Sequence, residues 1–285
     1  MSLNQFGNYN PEAQNPYWKA WEREKRVVGD KSMKVVNSFS PKILNRLESD
    51  RQSIYFCEVG REHVPFFLFR DHDGSYNSWA WLEAERGADL NGMSVIYIDA
   101  HADLPWKLEV EKFNRSDSTT TALSKTAGYF SYLIPAILDG YVGQLYWLGA
   151  PKDIKLFIIP RVSDITSRAS VDVRRETDCP SILYFMASSA EALVQQAMET
   201  LAGKYALDID LDYFLGEAYL LRYDNEDEVE TKFSSRLSLT LDAIKKIITL
   251  RGQPEVVTIS CSPEHCHYEE KAYTIVQSFV ELIRH

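Results

Sequence analysis

Cysteine is scarce in this chain: four residues (Cys57, Cys179, Cys261 and Cys266) in 285. That is too sparse for a disulfide framework at this length, so a reducing, cytoplasmic setting with free thiols is expected. No stretch approaches the roughly 18 consecutive apolar residues that a membrane-crossing helix needs. The opening residues, MSLNQFGNYNPEAQNPYW, lack both the basic and the apolar region of a secretory signal. Positive charge is also short. Lys plus Arg total 31 against 41 Asp plus Glu, a formal net charge of -10. Phosphate contacts dominate nucleic-acid affinity, so this balance argues against nucleic acid and against an anionic membrane as partners. It is compatible with a cationic substrate. Internal repeats, low-complexity tracts and a convincing linker are all missing. One domain over residues 1–285 is therefore the expectation, and oligomeric state is left open.

What is present is an ordinary globular composition, 45% hydrophobic and 25% charged. Short apolar runs alternate with helical patterns. Strands are expected at Ile54–Val59, Pro65–Phe69, Ser94–Ile98, Gln144–Leu148, Leu156–Ile159, Ile182–Met186, Tyr205–Ile209 and Val256–Ile259. They are rich in β-branched and aromatic residues and apolar on both faces, which reads as strands covered on both sides. Helices are expected at Ser75–Arg86, Ser188–Gly203, Leu237–Leu250 and Glu269–Arg284. In the second of these, Ser188 and Glu191 stand in capping-box spacing. Its Leu193, Val194, Ala197, Met198 and Leu201 form one apolar stripe. Strands alternating with such helices predict an α/β fold, a three-layer α/β/α sandwich with a mainly parallel sheet. Glu109–Thr121, Arg161–Pro180 and Gly216–Ser235 read as polar surface loops. Tyr17, Trp18 and Trp21 read as an N-terminal arm packed onto the domain.

Chemistry concentrates in three places, each just after an apolar run: Arg70-Asp71-His72-Asp73-Gly74, Asp99-Ala100-His101-Ala102-Asp103 and Asp208-Ile209-Asp210-Leu211-Asp212. Alternate residues of an extended segment point the same way. Asp99, His101 and Asp103 can thus converge, as can Asp208 and Asp210, with Asp212 next in the alternation. Gathering carboxylates at a buried strand end is costly unless a divalent cation compensates them. About four carboxylates and two imidazoles form a hard, thiolate-free set that favours Mn, Mg or Fe. Six donors are too many for one ion with an open position and suit two ions sharing a carboxylate. By contrast, Cys261-Ser-Pro-Glu-His265-Cys266-His267 lacks the second tight Cys/His pair of a zinc site.

IDAHADL resembles the Asp-x-His-x-Asp signature of the ureohydrolase superfamily, the arginases and agmatinases. FRDHDGS is similar to that family's earlier Asp-His segment, and LDIDLD to its Asp-x-Asp segment, in the same order. DIDLDYF followed by SPEHC looks most like the peptide arginase branch, which converts arginine side chains in precursor peptides to ornithine and urea. The resemblance implies two Mn²⁺ ions. His72, Asp99, Asp103 and Asp208 would surround one, and Asp99, His101, Asp208 and Asp210 the other. It makes Asp103 the catalytic proton acceptor. Where arginases carry a guanidinium-binding Glu, this chain has Ser260, and Glu264 is the nearest carboxylate that could stand in. The family's loop histidine after the second motif has no match, which leaves His265 or His267 for that role. Leu104-Pro105-Trp106 follow DAHAD in place of the polar residues that read a free amino acid. That departure favours an arginine-containing precursor peptide as substrate. The alternatives are a ureohydrolase of arginine, agmatine or a guanidino acid, and a related metal-dependent deacetylase whose single-ion site would not need His72. Outside catalysis, a catalytically dead peptide-binding module is the competing reading.

Overall fold

The computed structural model describes residues 31–101, 132–133, 136, 140–149, 168–171, 182–216, 226–263 and 269–285. The expected strand at Leu156–Ile159, the loop Glu109–Thr121 and the aromatic residues Tyr17, Trp18 and Trp21 lie outside that set.

Nine described strands form one sheet: β1 (Ser32–Val35), β2 (Ser53–Val59), β3 (Val64–Phe69), β4 (Met93–Ile98), β5 (Val142–Leu148), β6 (Arg168–Val171), β7 (Ile182–Ala187), β8 (Tyr205–Asp210) and β9 (Val256–Ser260). Their spatial order is β1-β2-β3-β9-β8-β4-β5-β7-β6. Pairing is parallel except for the β2–β3 hairpin and the β6–β7 edge. The described helices are α1 (Pro41–Leu47), α2 (Gly74–Arg86), α3 (Ala190–Thr200), α4 (Asp212–Leu215), α5 (Glu226–Arg251) and α6 (Glu269–Arg284). None is long and apolar enough to cross a membrane.

Strand alternation sorts the core into two bodies, one on each face of the sheet. Tyr205, Leu207 and Ile209 of β8 join one with Leu193 of α3, Ile244 and Ile247 of α5, and Ile275 and Phe279 of α6. Ala206 of β8 joins the other with Tyr76, Trp79 and Leu82 of α2 and with Tyr132. The result is a three-layer α/β/α arrangement on a mainly parallel sheet. Strands buried on both faces explain the unbroken apolar runs seen in the sequence.

Four expectations change. The capping position of α3 is Ser189, whose side chain accepts from Ala192 N–H, rather than Ser188. Met198, assigned to the apolar stripe of that helix, is exposed. Residues 226–235, read as loop, form the first turns of α5, anchored by buried Val229 and Phe233 one turn apart. Within the Arg161–Pro180 loop, residues 168–171 pair antiparallel with β7.

Candidate metal centre

Strands β3, β9, β8 and β4 are consecutive parallel neighbours, so their carboxyl ends share one edge. Ligands in such sheets gather beyond that edge. Each of the four delivers polar residues there.

His72 follows β3 in a tight turn into α2. Gly74 N–H donates to Asp71 O at 2.9 Å and Ser75 N–H to His72 O at 3.1 Å. A Cβ on Gly74 would fall 2.3 Å from the Phe69 ring, so only glycine lets the turn close this tightly. His72 is buried. Its Nδ1 lies 3.0 Å from Asp99 Oδ2 and 3.3 Å from Asp210 Oδ2.

Asp99 ends β4. Its backbone carbonyl accepts from Trp147 Nε1–H at 2.8 Å. A Cβ on Gly149 would come 1.9 Å from that same oxygen, and Gly149 has φ +128, so this position requires glycine twice over. The Asp99 carboxylate accepts from His101 N–H at 2.6 Å and from the Tyr97 hydroxyl. His101 is half out in solvent, and its Nδ1 is 2.6 Å from Asp212 Oδ2 and 3.8 Å from Asp99 Oδ1.

Asp210, the last residue of β8, accepts from Ser262 Oγ–H at 2.5 Å and from Asp212 N–H at 3.1 Å. Burial, then the charge of Asp212, push its pKa up to about 6, above the ordinary carboxylate range. Burial also pushes Asp212 upward, but the hydrogen bond and charge of His101 and the Ala100 N–H outweigh it and hold Asp212 low.

Two groups result whose ligand atoms lie within 4.8 Å of one another: His72, Asp99 and Asp210, and Asp99, His101 and Asp212. Asp99 belongs to both. Of the six residues singled out from the sequence as metal ligands, these groups contain His72, Asp99, His101 and Asp210. Asp103 lies outside the described residues, as do Glu264 and His265. Asp208 is in neither group, and Asp212 takes a place beside His101. Ser260, singled out as a substrate contact, is fully buried. Its hydroxyl donates to Arg70 O at 3.1 Å and lies 2.9 Å from Ser262 Oγ, one hydroxyl removed from Asp210.

The donor set fits divalent cations. Asp99, Asp208, Asp210 and Asp212 are four carboxylates almost wholly withdrawn from water, faced by two imidazoles. Buried carboxylates in such excess call for compensating positive charge, and oxygen with imidazole donors suits a hard ion. Sequence reasoning passed over the hydroxyls that support these acids: Ser75, Tyr97, Tyr132, Thr258 and Ser262. The signal for Thr258 was available in principle, as a polar residue in the middle of the apolar run VVTIS.

No family model and no curated protein matches this sequence. Similar solved structures include a proclavaminate amidino hydrolase from Streptomyces clavuligerus (10% identity, TM-score 0.44), with 77% of this chain and 63% of that one covered. An arginase from Medicago truncatula shares 12% identity over 87% of this chain and 66% of that one, with TM-score 0.38. A Helicobacter pylori arginase shares 13% over 86% and 75%, with TM-score 0.40. The chain thus spans less than two thirds of the first two. What the chain itself defines is an α/β sandwich with a candidate two-ion centre at the carboxyl edge of its sheet.

Proposed function

We propose that this chain is a Mn²⁺-dependent ureohydrolase that converts arginine side chains of a peptide to ornithine and releases urea. The observation that carries the reading is the meeting of three distant motifs around Asp99. The motifs are those whose wording resembles the ureohydrolases, and the donors are of the type that two hard ions need.

His72, Asp99 and Asp210 would hold one ion, and Asp99, His101 and Asp212 the other. Bound there, the pair supplies a water acidic enough to attack a guanidinium carbon near neutral pH. Asp103 completes the Asp-x-His-x-Asp segment and takes the proton from the attacking water, then hands it to the departing amine. Glu264 pairs with the guanidinium through a charge-assisted hydrogen bond, and His265 is the nearby imidazole for proton exchange. A chain of net charge -10 is a favourable surrounding for a cationic side chain. The apolar Leu104-Pro105-Trp106 suits a substrate whose amine and carboxylate are already in peptide bonds.

The test is urea release by the full chain loaded with Mn²⁺, on an arginine-containing peptide, free arginine and agmatine. The expected result is faster release from the peptide, lost on chelation and restored by Mn²⁺. Equal release from free arginine would shift the substrate to small molecules. No urea from any of the three would overturn the reading.

A further inference from the structure

The proposed function leaves Asp208 without a role, yet it is among the most elaborately held side chains in the molecule. Asp208 Oδ1 accepts from Ser75 Oγ–H at 2.6 Å and from Thr258 Oγ1–H at 2.7 Å. Its Oδ2 accepts from the Tyr132 hydroxyl. The Ser75 donor comes from the first turn of α2, and Thr258 from β9, directly opposite Asp208 in register. His72 Nε2 approaches Oδ1 at 3.3 Å. A carboxylate offers about four lone-pair sites. Two hydroxyls and the ring nitrogen crowd Oδ1, and a third hydroxyl takes one side of Oδ2. A side chain meant to join two cations would turn both oxygens freely to them, whereas here each oxygen already accepts at least one hydroxyl.

We propose that Asp208 is a positioning residue: it holds His72 as the Nε2–H tautomer, so that Nδ1 is the atom offered to the ion. This rests on the two-ion reading above and refines it. Oδ1 already accepts two O–H bonds, so contact with Nε2 is favourable only if that nitrogen carries the proton. Nδ1 then presents its lone pair on the side of Asp99 and Asp210, the two carboxylates of its group. The ring plane is fixed independently. Tyr132 stacks on His72 with centroids 4.6 Å apart, and Tyr97 stacks at 5.5 Å. Tyr132 therefore serves both partners, packing the imidazole with its ring and binding the carboxylate with its hydroxyl. A carboxylate behind a ligating histidine sets tautomer and orientation and raises the basicity of the ligand nitrogen.

The test is calorimetric titration of the metal-stripped full chain with Mn²⁺, comparing wild type with Asp208→Asn. The expected result is an unchanged number of ions with one of them bound about 10- to 100-fold more weakly. Loss of a whole equivalent would make Asp208 a ligand and overturn the proposal. Unchanged affinity would overturn it as well, by leaving Asp208 a purely structural role. Both failures leave the two-ion reading standing, whereas a wild-type chain that takes up no Mn²⁺ would overturn the two together. A second measurement covers the case in which Asp208→Asn does not fold. Wild-type chain carrying ¹⁵N-histidine is loaded with diamagnetic Cd²⁺, and the His72 signal is assigned by its loss in His72→Gln. A protonated Nε2 beside a deprotonated Nδ1 supports the proposal, and the reverse pattern overturns it.

Discussion

His72 and His101 bring the same imidazole to the same carboxylate, Asp99, from unlike surroundings. The His72 side chain is 2% exposed, packed against two tyrosine rings and backed by Asp208. The His101 side chain is 56% exposed and faces the carboxylates of Asp212 and Asp99. One half of the centre is part of the core, built from β3, α2, β8 and β9. The other half is a rim. The His101 side is open to solvent, while the His72 side sets where the acids stand. Such a division gives the candidate metal centre a fixed frame on one side and a solvent-facing rim on the other.

The comparison can be broken most severely at the residue both halves share. Asp99→Ala should abolish binding of both ions, read as loss of Mn²⁺ uptake by calorimetry; retention of either ion would show that Asp99 is not common to the two groups. Gly149→Ala should come next, since its Cβ would press on the Asp99 carbonyl. Strain and overpacking together should cost about 3 kcal/mol, lowering the melting temperature by roughly 5–10 °C and weakening both halves at once. The histidines themselves should then part company. In the metal-free chain His72→Ala should destabilise by about 2–3 kcal/mol, and His101→Ala by less than about 0.5, as judged by urea unfolding. Equal losses would remove the distinction between frame and rim. Smallest is Thr258→Val, which deletes one donor to Asp208 and should cost about 1–2 kcal/mol while leaving affinity at the His101 half unchanged.

Much of this was legible in the chain because buried parallel strands write themselves as apolar runs. The expected strand at Tyr205–Ile209 and the observed Tyr205–Asp210 differ by the one residue that belongs to chemistry rather than to the core. Elements at the periphery were harder to read. In β1, SMKV has exposed ends and no apolar run, and the start of α5 carries a single apolar residue per turn, Val229 then Phe233, on a charged background. At the site, alternation identified the face of Asp208 and Asp210 but not their depth. Two residues along a strand are nearly 7 Å, enough to set Asp208 beneath the centre while Asp210 stands in it. Asp212 escapes the strand rule altogether. It begins the short helix α4, and the turn there returns its carboxylate to His101. Hydroxyls left no pattern to follow, because a serine or threonine within an apolar run is ordinary until its cross-strand partner is known.

The place of β9 has a consequence for how this molecule comes into being. It follows all the other described strands in the sequence, yet lies wedged between β3 and β8 near the middle of the sheet. Until it arrives, both of those neighbours present bare edges, and Asp208 lacks its Thr258 donor. During synthesis the acids of the candidate centre therefore emerge before their frame can close. A nascent chain waiting for this strand is the form most exposed to faulty pairing.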